Sequence, residues 1–220
     1  MKITYFRRPI EGPEKRIEEI VASSIPSTFN LHSHFTWIAA SAPLGAGRPD
    51  LVVVSYKPEI FLLPSSGTST TEILAYLFSV QKAHLITIKK RIKRPDHIVV
   101  SRLRDLVDAE IVFENQSGYS LSPNWRSILS DITAIEIKVT DWRKAVQQAA
   151  RNRVLSHRSF IALPESIAKK AAADPSVSSL GLGIMEIDNH ERVHVIKQAR
   201  KSKPKIPSYY FKLAALLTAQ

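Results

Sequence analysis

Apolar positions in this chain recur with two different periods, and the rhythm changes twice along its length. Residues 13–25, PEKRIEEIVASSI, set Ile17, Ile20, Val21 and Ile25 at helical spacing behind Pro13, a residue suited to a first helical turn. At about 100° per residue Glu14 lies near the apolar face of that helix, Glu18 at its edge and Glu19 away from it. FTWIAASAP (35–43) and LVVVSY (51–56) read as strands, joined by the loop LGAGRPD. The second strand is apolar throughout, as expected where a sheet is covered on both faces.

The polar stretch PSSGTSTT (64–71) ends this rhythm. TEILAYLFS, TIKKRI and HIVVSRLRDLVDA then predict three helices, and AEIVFEN, a QSG turn and YSLSP predict a small hairpin with a polar tip. After Trp125 the strand rhythm returns. In ITAIEIKVT, Ile135, Ile137 and Val139 share one face, while Ala134, Glu136 and Lys138 share the other. Thr140 or Asp141 can cap a helix from about 142 to 155, with Trp142, Ala145, Val146 and Ala149 as its stripe. SFIAL (159–163) is a further apolar strand, so strand, helix and strand form a crossover that makes the Glu136 and Phe160 strands parallel. A helix (165–173), the strands GLGIMEI (181–187) and RVHVIKQ (192–198), the basic run KQARKSKPKIP and an apolar segment YYFKLAALLTA complete the chain. The pattern as a whole is α/β.

Composition narrows the chemistry. With 44% hydrophobic and 23% charged residues in 220, the chain can bury a globular core in one large domain or two small ones. No stretch approaches the roughly 18 apolar residues of a membrane span, and MKITYFRRPIEGP has no hydrophobic signal region, so the expected setting is the cytoplasm, away from membrane. The absence of cysteine excludes disulfides, thiolate zinc sites and cysteine nucleophiles; any metal must sit on Asp, Glu, His or backbone oxygen. Oxygen-rich sites favour Mg2+ or Mn2+. A net charge of +11 and a pI near 9.9 point to a polyanionic partner, with nucleic acid first among them.

The two rhythms are best separated by treating residues 65–128 as an insertion. Lifting that stretch out brings Asp50 and Glu136 to within a hairpin's length of each other. The remaining order is helix, strand, a strand entered through "RPD", a strand carrying "EIK", a helix carrying "QQA" and the strand "FIALP". This arrangement resembles the PD-(D/E)XK nuclease superfamily over roughly residues 13–64 and 129–198. Pro49 and Asp50 match the first half of the motif; Glu136, Ile137 and Lys138 match the second. "EIKVTDWRKAVQQAARNRVLSHRSFIALP" is similar to the family's stretch in which a helix with an A-x-x-Q-A pattern follows the ExK strand. Gln148 falls on the helix glutamine, and Asn152 stands where the family often has a tyrosine. The stretch "SRLRDLVDAEIVFENQSGYSLSP" resembles the winged helix-turn-helix family over roughly residues 68–125.

The resemblances imply a restriction-endonuclease-like mixed sheet flanked by helices in residues 1–64 and 129–220, interrupted by a winged-helix (α+β) DNA-binding insertion at 65–128. They imply Asp50 and Glu136 as ligands of Mg2+ or Mn2+, with the Ile137 carbonyl contributing and Glu14 or Glu18 supplying a third carboxylate through water. Lys138 would orient or deprotonate the attacking water, its own pKa lowered beside the metal, and Gln148 would help shape the site. The expected activity is divalent-metal-dependent hydrolysis of DNA phosphodiester bonds by an endonuclease. The alternative is a non-catalytic winged-helix DNA-binding or transcription-regulatory protein on a nuclease-like scaffold. Glu136 and Lys138 can also be read as an ordinary cross-strand pair, and Asp50 as a cap on backbone donors at a strand entrance. The crossover, which covers the sheet on both faces, favours the site.

A winged helix commonly lays its third helix in the major groove of double-stranded DNA, which by the resemblance makes His97, Ser101, Arg102 and Arg104 contact candidates. Lys89, Lys90, Arg91, Lys93 and Arg94 would face the backbone, with Gln116 and Ser117 at the wing tip. Arg143, Lys144, Arg151 and Arg153 add charge on the helix after ExK, and Arg200, Lys201, Lys203 and Lys205 form a basic tail expected to be mobile. Cutting both strands often needs two sites, so a homodimer is one of the oligomeric states the sequence leaves open. His32 and His34 read as surface or packing residues, because no third ligand is spaced nearby. His157, His190 and His194 form no triad, and Gly45, Gly47, Gly181 and Gly183 suit turns better than phosphate loops.

Overall fold

The computed structural model describes residues 3–6, 12–29, 31, 35–44, 48–64 and 67–219. His32, His34, Gly45 and Gly47 lie outside them. In chain order the elements are β1 (Ile3–Tyr5), α1 (Pro13–Thr28), β2 (Thr36–Ala40), β3 (Leu51–Tyr56), α2 (Thr68–Ser79), α3 (Leu85–Ile92), α4 (Asp96–Asp108), β4 (Val112–Asn115) and β5 (Gly118–Leu121). They continue with β6 (Leu129–Ile137), α5 (Trp142–Asn152), β7 (Arg158–Pro164), α6 (Glu165–Ala173), α7 (Pro175–Ser179), β8 (Gly183–Ile187), β9 (Val193–Lys197) and α8 (Pro207–Thr218). The chain forms two compact units, Met1–Ser55 with Asp131–Lys205, and Tyr56–Ser130 with Ile206–Gln220.

The first unit is built on a mixed seven-stranded sheet in the order β1-β2-β3-β6-β7-β8-β9. β1 and β2 run parallel, β2 and β3 antiparallel, β6, β7 and β8 parallel, and β9 antiparallel to β8. The parallel β6–β7 pair is the one the crossover predicts. Helices cover both faces. On one, Ile17, Val21 and Ile25 of α1 pack over Ile38, Val53, Ile135, Ile137 and Phe160. On the other, Trp142, Ala145, Val146 and Ala149 of α5 and Ala168 and Ala171 of α6 pack over Ile161, Leu163 and Ile184. Because strand side chains alternate, β6 sends Ile135 and Ile137 toward α1 and leaves Glu136 for the other face. Apolar burial is the main driving force here: each fully covered Ile, Leu or Phe contributes about 1.5–3 kcal/mol.

Two glycines are set by close approach rather than by phosphate chemistry. A Cβ on Gly183 would lie 2.3 Å from the Phe160 ring, so the start of β8 can pack there only without a side chain. Gly118, at φ +117°, opens β5 beside the Ala83 carbonyl, where a Cβ would come within 2.5 Å.

The second unit holds three helices, α2 to α4, followed by the antiparallel β4–β5 hairpin. It also holds α8, which is a correction to the sequence reading: residues 206–220 were expected in the nuclease-like core. The reason is apolar surface on both partners. Tyr210 and Phe211 of α8 place their rings 5.5 and 5.7 Å from Phe78 of α2, and the Tyr210 hydroxyl accepts the Leu129 N–H at 2.7 Å. The unit's other limits fall at 55/56 and 130/131, not at 64/65 and 128/129. Arg126 closes α2 by donating to the carbonyls of Phe78 (3.0 Å) and Val80 (2.9 Å), satisfying helix-end acceptors that would otherwise lack donors.

Candidate metal centre and nucleic-acid interface

Asp50 and Glu136, distant in sequence, meet in the first unit. Asp50 stands at the entrance to β3, and its Oδ2 accepts the Ile137 N–H at 2.8 Å. The capping role that its position suggests is therefore real, but the donor belongs to the strand carrying Glu136. Glu136 is only 2% exposed. Its Oε1 accepts from the Asn152 amide Nδ2 at 2.7 Å, and its Oε2 is buried with no donor. Asp50 lies close enough for the two carboxyl groups to share a hydrogen bond.

Electrostatics follow from that crowding. Burial first, and then the neighbouring Asp50 charge, push the Glu136 pKa from its ordinary 4.5 up to about 8. The Asn152 amide and the Lys138 ammonium pull in the opposite direction. A buried acid with one oxygen that meets no donor, beside a second acid, needs either a proton or a cation. The site's oxygen donors suit a hard divalent ion, so its chemistry fits Mg2+ or Mn2+.

Lys138 directly follows β6, and its backbone N–H extends the ladder to Ala162 at 3.2 Å. Its Nζ donates to the Ile137 carbonyl at 2.7 Å and lies 3.4 Å from Glu14 Oε1 and 3.9 Å from Asp50 Oδ2. Two expectations shift as a result. The Ile137 carbonyl, implied as a metal ligand, is engaged by Lys138. Glu14, implied as a third carboxylate, pairs with the lysine. Glu18 is buried on α1; burial first, and then the Glu18 charge, raise the Tyr5 hydroxyl pKa. Among the described residues no group of three His, Cys, Asp or Glu is arranged to hold a metal ion.

Asn152 is the residue the sequence reading did not assign a role. It is 3% exposed at the end of α5 and continues the stripe of Trp142, Ala145 and Ala149, so its signal was a polar residue in apolar phase. Gln148, one turn earlier, has a buried Oε1 without a donor. Asp141 starts the helix by accepting the Lys144 N–H at 3.0 Å. The Ser159 hydroxyl donates to the Ala149 carbonyl at 2.8 Å, fixing α5 to β7 beside the Glu136 strand.

In the second unit the buried face of α4 is Val99, Leu103 and Leu106, which leaves His97, Ser101 and Arg104 exposed along one stripe. Lys90, Arg91 and Lys93 are exposed on and just after α3, and Gln116 is exposed at the hairpin tip. The other predicted cations are engaged. Lys89 pairs with Asp96 at 2.9 Å, Arg94 binds Glu72 through two nitrogens at 2.8 and 3.0 Å, and Arg102 pairs with Asp105 at 2.9 Å. Ser117 Oγ receives Lys82 Nζ at 2.6 Å.

The basic segment after β9 is held rather than mobile. Backbone N–H groups of Arg200, Ser202 and Lys205 donate to the carbonyls of Gly181, His157 and Val154, and Arg153 binds the carbonyls of Gly181 and Arg200 and the Ser202 hydroxyl. On α5, Arg143 lies 5.0 Å over the Trp142 ring. His157 accepts the Ile132 N–H through Nδ1 at 3.0 Å, and burial lowers its pKa. The His194 ring and the His190 backbone both turn to Asp188. No helix among the described residues is long and apolar enough to cross a membrane. Comparison of the chain with protein-family models, with curated proteins and with solved structures returns no match.

Proposed function

We propose that this protein is a divalent-metal-dependent endodeoxyribonuclease of the PD-(D/E)XK kind, with a winged helix-turn-helix inserted between its third and sixth strands. The observation that carries the reading is Glu136. A carboxylate on a covered strand, beside Asp50 and Lys138 and with one buried oxygen that meets no donor, is costly to keep unless it serves a cation. A bound Mg2+ or Mn2+ would polarise the scissile phosphate and acidify its water.

The protein's own groups take the remaining tasks. Asp50 and Glu136 would hold the ion from adjacent strands. Lys138 would move from the Ile137 carbonyl toward the phosphate, orienting the water and offsetting charge on the reacting oxygens. In the second unit, the His97–Ser101–Arg104 stripe would enter the major groove of double-stranded DNA and meet base edges and, through Arg104, a phosphate, while Lys90, Arg91 and Lys93 would meet flanking phosphates. Cleavage of both strands calls for two sites, so the proposed working species is a homodimer.

The test is cleavage of plasmid and oligonucleotide DNA with Mg2+ or Mn2+. Cutting by the natural chain, lost in Glu136→Ala and in Lys138→Ala, supports the enzyme. A second reading has its own support: Lys138 is already engaged by Ile137 and Glu14, as in a scaffold that needs no reactive amine. DNA binding without cleavage in either metal would favour that non-catalytic regulator.

A further inference from the structure

Resting on the metal-site reading, we infer that Asn152 is a positioning residue: it holds one oxygen of Glu136 so that only the other is offered to a divalent cation. A free carboxylate can turn about its Cγ–Cδ bond and present either oxygen or both. Glu136 has no such freedom. The Asn152 Nδ2 takes Oε1 at 2.7 Å, in a place where both residues are almost wholly buried. Oε2 is left without a donor, on the carboxylate that adjoins Asp50.

Asn152 is itself fixed. Its carbonyl accepts the N–H groups of Leu155 and Ser156, both at 3.1 Å, and the Ser156 hydroxyl at 2.8 Å, closing the end of α5. The Ser159–Ala149 bond ties the preceding turn of that helix to β7. The amide therefore reaches Glu136 from a rigid element, as a hydrogen bond must if it is to aim a ligand. A single-oxygen ligand suits a small octahedral ion better than a chelating carboxylate does, because two oxygens of one group subtend too narrow an angle.

The experiment is Mn2+ binding to the full chain by calorimetry, with folding checked by circular dichroism. Asn152→Leu should weaken binding by about 10- to 100-fold, the usual effect of losing a partner that orients a ligand, while Asn152→Gln restores part of it. Unchanged affinity in folded Asn152→Leu would overturn the role of Asn152 and leave the metal site standing. Absence of Mn2+ binding in the natural chain would overturn both, whereas Mn2+ binding without DNA cleavage removes only the nuclease reading. Where Asn152→Leu fails to fold, the Asn152 side-chain amide resonance of the natural chain decides. It should keep its hydrogen-bonded shift when Mg2+ is added, and its loss on adding Mg2+ would overturn the inference.

Discussion

The two units handle charge in opposite ways. The sheet unit buries Glu136 and half-buries Asp50 and Lys138, each tied to at least one other group. The helical unit keeps Lys90, Arg91, Lys93 and Arg104 in water, with no acidic partner among the described residues. A buried carboxylate opposes folding and is kept only where something compensates it; an exposed cation costs folding little and can wait for a polyanion. On the proposed function the first unit would perform chemistry and the second attachment, so damage to each should appear in a different measurement.

The largest separation is expected from Glu136→Ala. Cleavage in Mg2+ should fall by on the order of 10³-fold or more, equivalent to about 4 kcal/mol of barrier, because the change removes a whole proposed metal ligand. DNA affinity measured by fluorescence anisotropy in the absence of metal should not change. Loss of both together would mean that the two units do not divide the work in this way.

A smaller effect, on stability, comes from the same carboxyl. Below pH 4.5 the folded and unfolded chains both carry the Glu136 proton; between 4.5 and about 8 only the folded chain keeps it. Rising pH therefore favours the unfolded chain through that window, and the contribution is fully present below 4.5 and lost as pH passes about 8. The metal-free protein should lose a few kcal/mol across this range relative to Glu136→Gln. His157, whose pKa is lowered by burial, acts in the acid range and is common to both proteins, so the difference isolates Glu136. Thermal melts that track each other across pH 5–8 would remove the buried-acid account.

These expectations also mark what the sequence could and could not reveal. The order of strands and helices was readable because apolar alternation and the α5 stripe are local patterns, and the meeting of Asp50 with Glu136 followed once the middle segment was set aside. β1 went unread: Ile3–Tyr5 is too short for any period and is a strand only because β2 lies beside it. The Asn152–Glu136 bond spans sixteen positions and two elements, so nothing local specifies it. The engagement of Lys138 with Glu14, and the packing of α8 against α2, depend on geometry that spacing does not encode. Exposed residues were readable as candidates, but which of them were already paired was not.

In the helical unit, Arg104→Ala should cost about 1 kcal/mol of DNA affinity, if the proposed role holds, and lower the dependence of log K on log salt by about one phosphate contact. Arg104 belongs to the exposed α4 stripe and has no acidic partner among the described residues. An unchanged salt slope would take it off the DNA backbone.

Arg102 should matter less, and for a different reason. Its guanidinium already holds Asp105 at 2.9 Å, and as a part-exposed i,i+3 pair that bond is worth only a few tenths of a kcal/mol. Removing Arg102 releases the Asp105 charge toward the approaching phosphates, so Arg102→Ala weakens DNA binding slightly by adding repulsion. Asp105→Ala in the same chain should restore the affinity, while it does nothing for Arg104→Ala. A double-mutant cycle separates the two cases. An Arg102→Ala loss that Asp105→Ala leaves untouched would put Arg102 on the DNA itself, and the division of α4 into a reading stripe and a self-paired flank would fall.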